Sequence, residues 1–209
     1  MELLKERRLF ILACSATKRK DAEIERMIQS DISLNTTTPL EVFSAYRQCT
    51  KKAYKHRVYK SKYYPACLRY NGIFYRQIPI KLWERIDKLP VLILSAYYGF
   101  LRPTDGISNY NLKISQVKTS CKRHLPALLK RYMNEYQFKE AVFLTSSNYF
   151  LPFKKENFAK RLHLYDNSGN EIIGPYGRDY YILTGRMFSN ILQNKSLLSG
   201  LNSCFAEIK

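Results

Sequence analysis

Three short, nearly continuous apolar runs limit the architecture open to this chain: Arg8–Ser15 (RLFILACS), Leu89–Ala96 (LPVLILSA) and Ala141–Thr145 (AVFLT). Each ends in small polar residues, the pattern of a buried strand leading into a loop. Between the runs the apolar spacing becomes helical. Ile24, Met27 and Ile28 mark one face of a helix over Lys20–Gln29, and Ser30–Pro39 reads as a loop. Thr38 before Pro39, with Glu41 three residues on, predicts an N-cap, a proline at the first helical position and a capping-box acid. That helix continues through Leu40, Phe43 and Tyr46 to about Lys55. Another is predicted from about Thr119 to Tyr136. Arg161–Tyr165 and Asp179–Leu183 read as strands around a glycine-rich hairpin, with a helix over Thr184–Asn194. Strands alternate with helices and no repeat or linker interrupts them. The expectation is one α/β domain over residues 1–209, with a mixed, largely parallel sheet flanked by helices and a basic cleft at the strands' C-terminal ends.

Composition narrows the function. The chain has 35 Lys and Arg against 17 Asp and Glu, a formal net charge of +18, which points to a polyanionic partner. No apolar run approaches the ~18–20 residues of a membrane helix. Met1–Arg8 is charged, and the apolar run behind it lacks a cleavage site, so it reads as a mature start. Cys14, Cys49, Cys67, Cys121 and Cys204 are odd in number and irregularly spaced, which suits reduced thiols in a cytoplasmic protein. His56, His124 and His163 form no CxxC-type or HxxxH-type pattern with their neighbours, so neither metal nor cofactor is expected. Without a Walker motif, GxGxxG or paired acidic metal motif, nucleotide-driven phosphoryl transfer and two-metal nuclease chemistry drop out.

From Val42 to Trp83 there is no acidic residue. Arg47, Lys51, Lys52, Lys55, Arg57, Lys60, Lys62, Arg69, Arg76 and Lys81 are interleaved there with Tyr46, Tyr54, Tyr59, Tyr63, Tyr64, Tyr70 and Tyr75, and the segment from about 38 to 65 reads as helical, basic and tyrosine-rich. Cations for phosphates and rings for stacking are what nucleic-acid affinity requires, with DNA the first partner and RNA also compatible. The competing reading is a solvated helix whose tyrosines cover the core edge. A second acid-free stretch, Gly106–Asn134, carries Lys113, Lys118 and Lys122, which read as solvated surface unless they lie beside the first tract.

Three strand ends carry polar clusters: Ser15–Lys18, Ser95–Asp105 and Ser146–Tyr149. If the strands are parallel, all three converge on one crevice. Ser15 and Lys18 have S-x-x-K spacing, which suits phosphate binding better than a serine–lysine dyad. Arg102 and Asp105 flank Pro103 in a tight turn. Arg102 would grip a phosphate or carboxylate, Asp105 would accept or donate a proton, and Tyr98 and Tyr110 would stack or donate. The alternative is an Arg102–Asp105 pair that locks its own loop. Cys14, beside a basic loop, reads as a small buried hydrophobe rather than a reactive thiol.

Four blocks, Ile11–Lys18 (ILACSATK), Tyr70–Tyr75 (YNGIFY), Leu94–Leu112 (LSAYYGFLRPTDGISNYNL) and Leu144–Phe150 (LTSSNYF), resemble the YaaA-like, or peroxide stress protein, family in order and spacing. The third block matches an LSxxYGxLRPxDxxxxYxL-type signature at Leu94, Ser95, Tyr98, Gly99, Leu101, Arg102, Pro103, Asp105, Tyr110 and Leu112. Ala16 stands where the first block has proline, and Ser147 and Tyr149 correspond to a strand-end Ser…Tyr element. The resemblance implies a single α/β domain with a basic cleft, an intracellular location, DNA binding, and protection of DNA from oxidative damage by keeping unincorporated iron low. It makes Arg47–Lys62 the counterpart of a DNA-binding helical insertion. It also implies a nucleotide or nucleobase ligand in the cleft, held by Arg102, Tyr110, Ser147, Tyr149 and Asn71. The alternative function is therefore an enzyme acting on such a ligand by N-glycosidic or related transfer, with Asp105, Tyr98, Ser15 and Lys18 as its catalytic set.

Overall fold

The computed structural model describes residues 7–30, 32–173, 178–196, 199 and 204–209. Its strands are β1 (Arg8–Ala13), β2 (Tyr64–Pro65), β3 (Val91–Ser95), β4 (Gly99–Leu101), β5 (Gly106–Ile107), β6 (Glu140–Leu144), β7 (Ala159–Asp166) and β8 (Cys204–Ile208). Its helices are α1 (Asp21–Ser30), α2 (Ser44–Tyr54), α3 (Ala66–Arg69), α4 (Ile73–Arg76), α5 (Thr119–Lys122), α6 (Leu125–Glu135), α7 (Ser147–Phe150) and α8 (Arg178–Leu192).

Six strands form one sheet in the order β4-β3-β1-β6-β7-β8. β1 pairs in parallel with β3 on one side, Leu12 opposite Ile93, and with β6 on the other, Leu12 opposite Leu144. β7 continues the parallel set, and β4 and β8 close the two edges in antiparallel fashion. Strands covered on both faces have no solvent side to alternate toward, so β1, β3 and β6 are apolar almost throughout. The chain runs from β1 outward to β3, then crosses back to β6 and outward again to β7. The direction of winding therefore reverses between β1 and β6.

Two aromatic clusters anchor the helices. Trp83 stacks on Tyr75 and packs at a tilt against Phe188, with centroids 5.9 and 6.0 Å apart, fixing α8 against α4 and the 3₁₀ stretch Ile80–Lys88. Phe43, Phe100, Phe143, Phe153 and Tyr132 form the other, with centroids 4.7 to 5.9 Å apart.

Several sequence expectations change. The helix expected from Thr38 begins with a 3₁₀ turn at Glu41–Phe43 and becomes α-helical only at Ser44, with no side-chain cap. The Thr37 hydroxyl and Thr38 carbonyl are instead drawn into hydrogen bonds with Asp105 and Arg102. The helix expected over Thr119–Tyr136 is two, α5 and α6, because Pro126 starts a new one. Asp179–Leu183 belongs to α8 rather than a strand, since Tyr180, Thr184, Phe188 and Ile191 bury one helical face. Gly174–Gly177 of the expected hairpin, and Met1–Glu6 of the expected mature start, lie outside the described residues. The reading of reduced thiols is also corrected: Cys49 on α2 and Cys121 on α5 form a disulfide with Cα atoms 5.7 Å apart. Wide spacing hid the pair, because it is made by helix packing and not by local sequence.

Candidate functional site

The parallel strands bring the three polar strand ends to one edge of the sheet, but their loops part there. Ser95 ends β3 with its Oγ accepting from the backbone of Tyr98 at 3.0 Å and paired with the Tyr110 hydroxyl at 2.9 Å. Tyr110 is paired in turn with the Tyr70 hydroxyl, also at 2.9 Å. Gly99 turns the chain with φ +74°, under the Tyr46 ring, where a Cβ would come within 2.8 Å. Arg102 donates from its backbone and from Nε to the two Asp105 carboxylate oxygens, each at 2.9 Å, and Thr37 adds a third bond at 2.8 Å. Asp105 is fully buried, and that burial raises its pKa against the opposing hydrogen bonds from Arg102 and Thr37. The pair expected to meet a ligand locks its own loop and clamps the 36–38 segment. Backbone amides of Ala66 and Cys67 on α3 close the other side, on the carbonyls of Asp105 and Pro103.

The loop after β1 opens instead. With the loop after β6 it lines a cavity of about 420 Å³, bounded also by α4 and by Lys113–Ser115. Ser15 Oγ accepts from the Thr17 amide at 3.1 Å. The loop is buttressed by Gly72, where a Cβ would sit 2.4 Å from Ser15 Oγ; no other residue allows α4 to approach so closely. Tyr149 on α7 places its hydroxyl 3.2 Å from Cys14 Sγ, and burial drives its pKa up. Tyr181 accepts from the Ser146 amide at 3.2 Å, tying the second loop to α8.

Lys18 stands behind the first loop. Its Nζ donates to the Ser15 carbonyl at 2.9 Å and lies 3.9 Å from the centre of the Tyr110 ring. The bond is to the carbonyl, whereas a serine–lysine dyad would need it at the hydroxyl. Burial lowers Lys18 to about 8, with Cys14 pulling the other way.

A larger cavity, about 660 Å³, lies on the far side of the 95–110 loop, between α2 and the 36–38 segment. Arg47, Lys51, Tyr63, Tyr97 and Tyr98 line it. Lys51, Lys52, Lys55, Lys60 and Lys62 are exposed, and Lys62 pairs with Glu25 at 2.7 Å. Arg57 is half-buried, with Nε enclosed and unbonded. Of the seven tyrosines in the tract, Tyr46, Tyr54, Tyr64, Tyr70 and Tyr75 are core residues, whereas Tyr59 and Tyr63 are 50% and 63% exposed. Stacking capacity is therefore far smaller than composition suggested.

Of the expected residues, Ser15 and Tyr149 meet at the smaller cavity and Tyr98 lines the larger, while Lys18, Arg102, Asp105 and Tyr110 are built into the fold around them. Ser147 is exposed beside the smaller cavity without lining it, and Asn71 lines a separate shallow depression with Arg19 and Glu23. Thr17 lines the smaller cavity as part of the Ser15–Lys18 cluster, whereas Gly72, Arg76, Lys113 and Tyr181 line it without having been singled out for it. For Gly72 and Arg76 the available signal was their place in and beside the Tyr70–Tyr75 block; Lys113 and Tyr181 had none. Among the described residues, no group of three or more His, Cys, Asp or Glu is gathered as a metal site would require.

The family described as Peroxide stress protein YaaA matches residues 10–175, a span holding both loops of the smaller cavity and the whole 95–110 loop. A UPF0246 protein of Lachnoclostridium phytofermentans is 38% identical over 72 residues, covering 32% of this chain and 28% of that protein. The chain thus aligns with under a third of that relative's length.

Proposed function

The chain belongs to the peroxide stress protein YaaA family, and from that membership we propose that it binds nucleic acid, DNA foremost, through the basic face of α2 and the segment that follows. The binding would protect DNA from oxidative damage under peroxide stress in the cytoplasm. The observation that carries the reading is the exposed series Lys51, Lys52, Lys55 and Lys60, in a stretch with no acidic residue, beside a groove lined by Arg47, Tyr63 and Tyr97. Cations track phosphates without regard to sequence, and a few exposed rings add stacking to unpaired bases. Among the described residues no helix is long and apolar enough to cross a membrane.

Titration against labelled duplex DNA, single-stranded DNA and RNA at several salt concentrations tests the reading. Neutralising about six phosphates gives a slope of log K on log salt near −5 for duplex DNA. The Lys51→Glu/Lys52→Glu variant should lose most of that affinity and flatten the slope. Binding that ignores salt, or survives this charge reversal unchanged, refutes it.

A further inference from the structure

We propose that the cavity between the carboxyl ends of β1 and β6 is a second binding site, separate from the basic face, and that it takes a nucleoside monophosphate. Adjacent parallel strands whose connections wind in opposite directions leave a gap between their loops, and β1 and β6 are the pair where the winding reverses. The gap here is a real cavity of about 420 Å³, within the ~300–1,000 Å³ range of small-ligand pockets.

Its lining selects the ligand. Among the described residues no carboxylate borders it, while Arg76 from α4 and Lys113 from the segment just after the 95–110 loop both do, and both are exposed. Two cations that border one cavity from distant segments, with no acidic counterpart, suit a phosphomonoester. Ser15 and Thr17 supply hydroxyls, and Phe74 and Tyr149 supply ring surface against which a base can lie. A free anion would leave that apolar wall uncovered, and an uncharged nucleoside would leave both cations unmatched. The site is defined by binding alone, and no reaction is assigned to it.

Isothermal titration of the full chain with the adenosine, guanosine, cytidine and uridine 5′-monophosphates, the matching nucleosides and ribose 5-phosphate decides the matter. At least one monophosphate should saturate a single site, with its nucleoside and ribose 5-phosphate weaker by about tenfold or more, as loss of a charge-assisted contact or of a buried ring entails. Arg76→Glu/Lys113→Glu should weaken the monophosphate by about tenfold or more, while Lys51→Glu/Lys52→Glu should bind it as the parent does. Should charge reversal unfold the chain, the milder Arg76→Gln/Lys113→Gln pair carries the same expectation. Saturation by none of the monophosphates, equal binding of ribose 5-phosphate, or loss in the Lys51/Lys52 variant with retention in the Arg76/Lys113 variant would each overturn the proposal. DNA binding measured on the same samples stands or falls independently.

Discussion

Two loops leave neighbouring strands of one sheet, after β3 and after β1, and they use their polar groups in opposite ways. In the loop after β3, Ser95, Tyr98, Arg102, Asp105 and Tyr110 are bonded chiefly within the loop itself, and three bonds, one of them from Thr37, end on Asp105 alone. In the loop after β1, Ser15 and Thr17 border open space, held there by Lys18 from behind and by the missing side chain of Gly72. A closed network of buried polar groups needs every member, because a partner lost leaves another group desolvated and unpaired. An open site needs only a few groups, contributed from several segments. The most recognisable stretch of this chain is therefore its scaffold, and the open polar groups of the smaller cavity lie next to it.

The largest effect should follow from breaking the closed loop. Arg102→Ala would leave the fully buried Asp105 carboxylate without its cation, and removing the partner of a buried charge costs about 3–5 kcal/mol. Asp105→Ala should cost somewhat less, since the Arg102 guanidinium left behind is 39% exposed and water can repair part of the loss. Urea unfolding measures both. An Asp105→Ala protein of parental stability would show that this loop is poised for a ligand after all, and the contrast would fail.

A smaller effect should come from filling the gap at the open loop. In Gly72→Ala the new methyl would lie 2.4 Å from Ser15 Oγ and 3.0 Å from Ser15 Cβ, so the loop or α4 must move, at about 1–3 kcal/mol. Gly72→Ala/Ser15→Gly should recover part of that, because the atoms in conflict are gone. Full additivity of the two changes in a double-mutant cycle would mean that Gly72 does not buttress Ser15.

Legibility in the sequence follows the same division. The strands β1, β3 and β6 were plain because strands buried on both faces need continuous apolar runs, and the YaaA-like blocks were plain because the loop after β3 spends so many residues on its own closure. The alternatives left open for Arg102 and Asp105 could be resolved only by burial, which a tetrapeptide around Pro103 does not encode. Tyr46, Tyr70 and Tyr75 looked like stacking surface because a tyrosine has the same letter in a core as on a face. Arg76, Lys113 and Tyr181 reach the smaller cavity from three separate stretches, and Cys49 reaches Cys121 across 72 residues, so neither arrangement leaves a local pattern. The cap expected at Thr38 failed for a related reason: the Thr38 carbonyl and the neighbouring Thr37 hydroxyl are held by Arg102 and Asp105, far along the chain.

The finest probe of the contrast is Lys18, the residue that touches both loops. Its ammonium donates to Ser15 in the open loop and rests on the Tyr110 ring of the closed one, and burial lowers its pKa from 10.5 to about 8. Between those values the unfolded chain binds a proton that the native protein has released, so stability must rise with pH across the window and not fall. Below pH 8 both states hold the proton and the difference is constant. Comparison with Lys18→Met removes every other titrating group from the balance. Parent stability relative to the variant should climb between pH 8 and 10.5 by about 1 kcal/mol, partial solvent access screening the rest. In the same window the released amine gives up its charge-assisted hold on the Ser15 carbonyl, so nucleoside monophosphate affinity should decline while the 95–110 loop stays closed. A flat difference curve would mean that Lys18 is solvated, and that the two loops are held apart by packing alone.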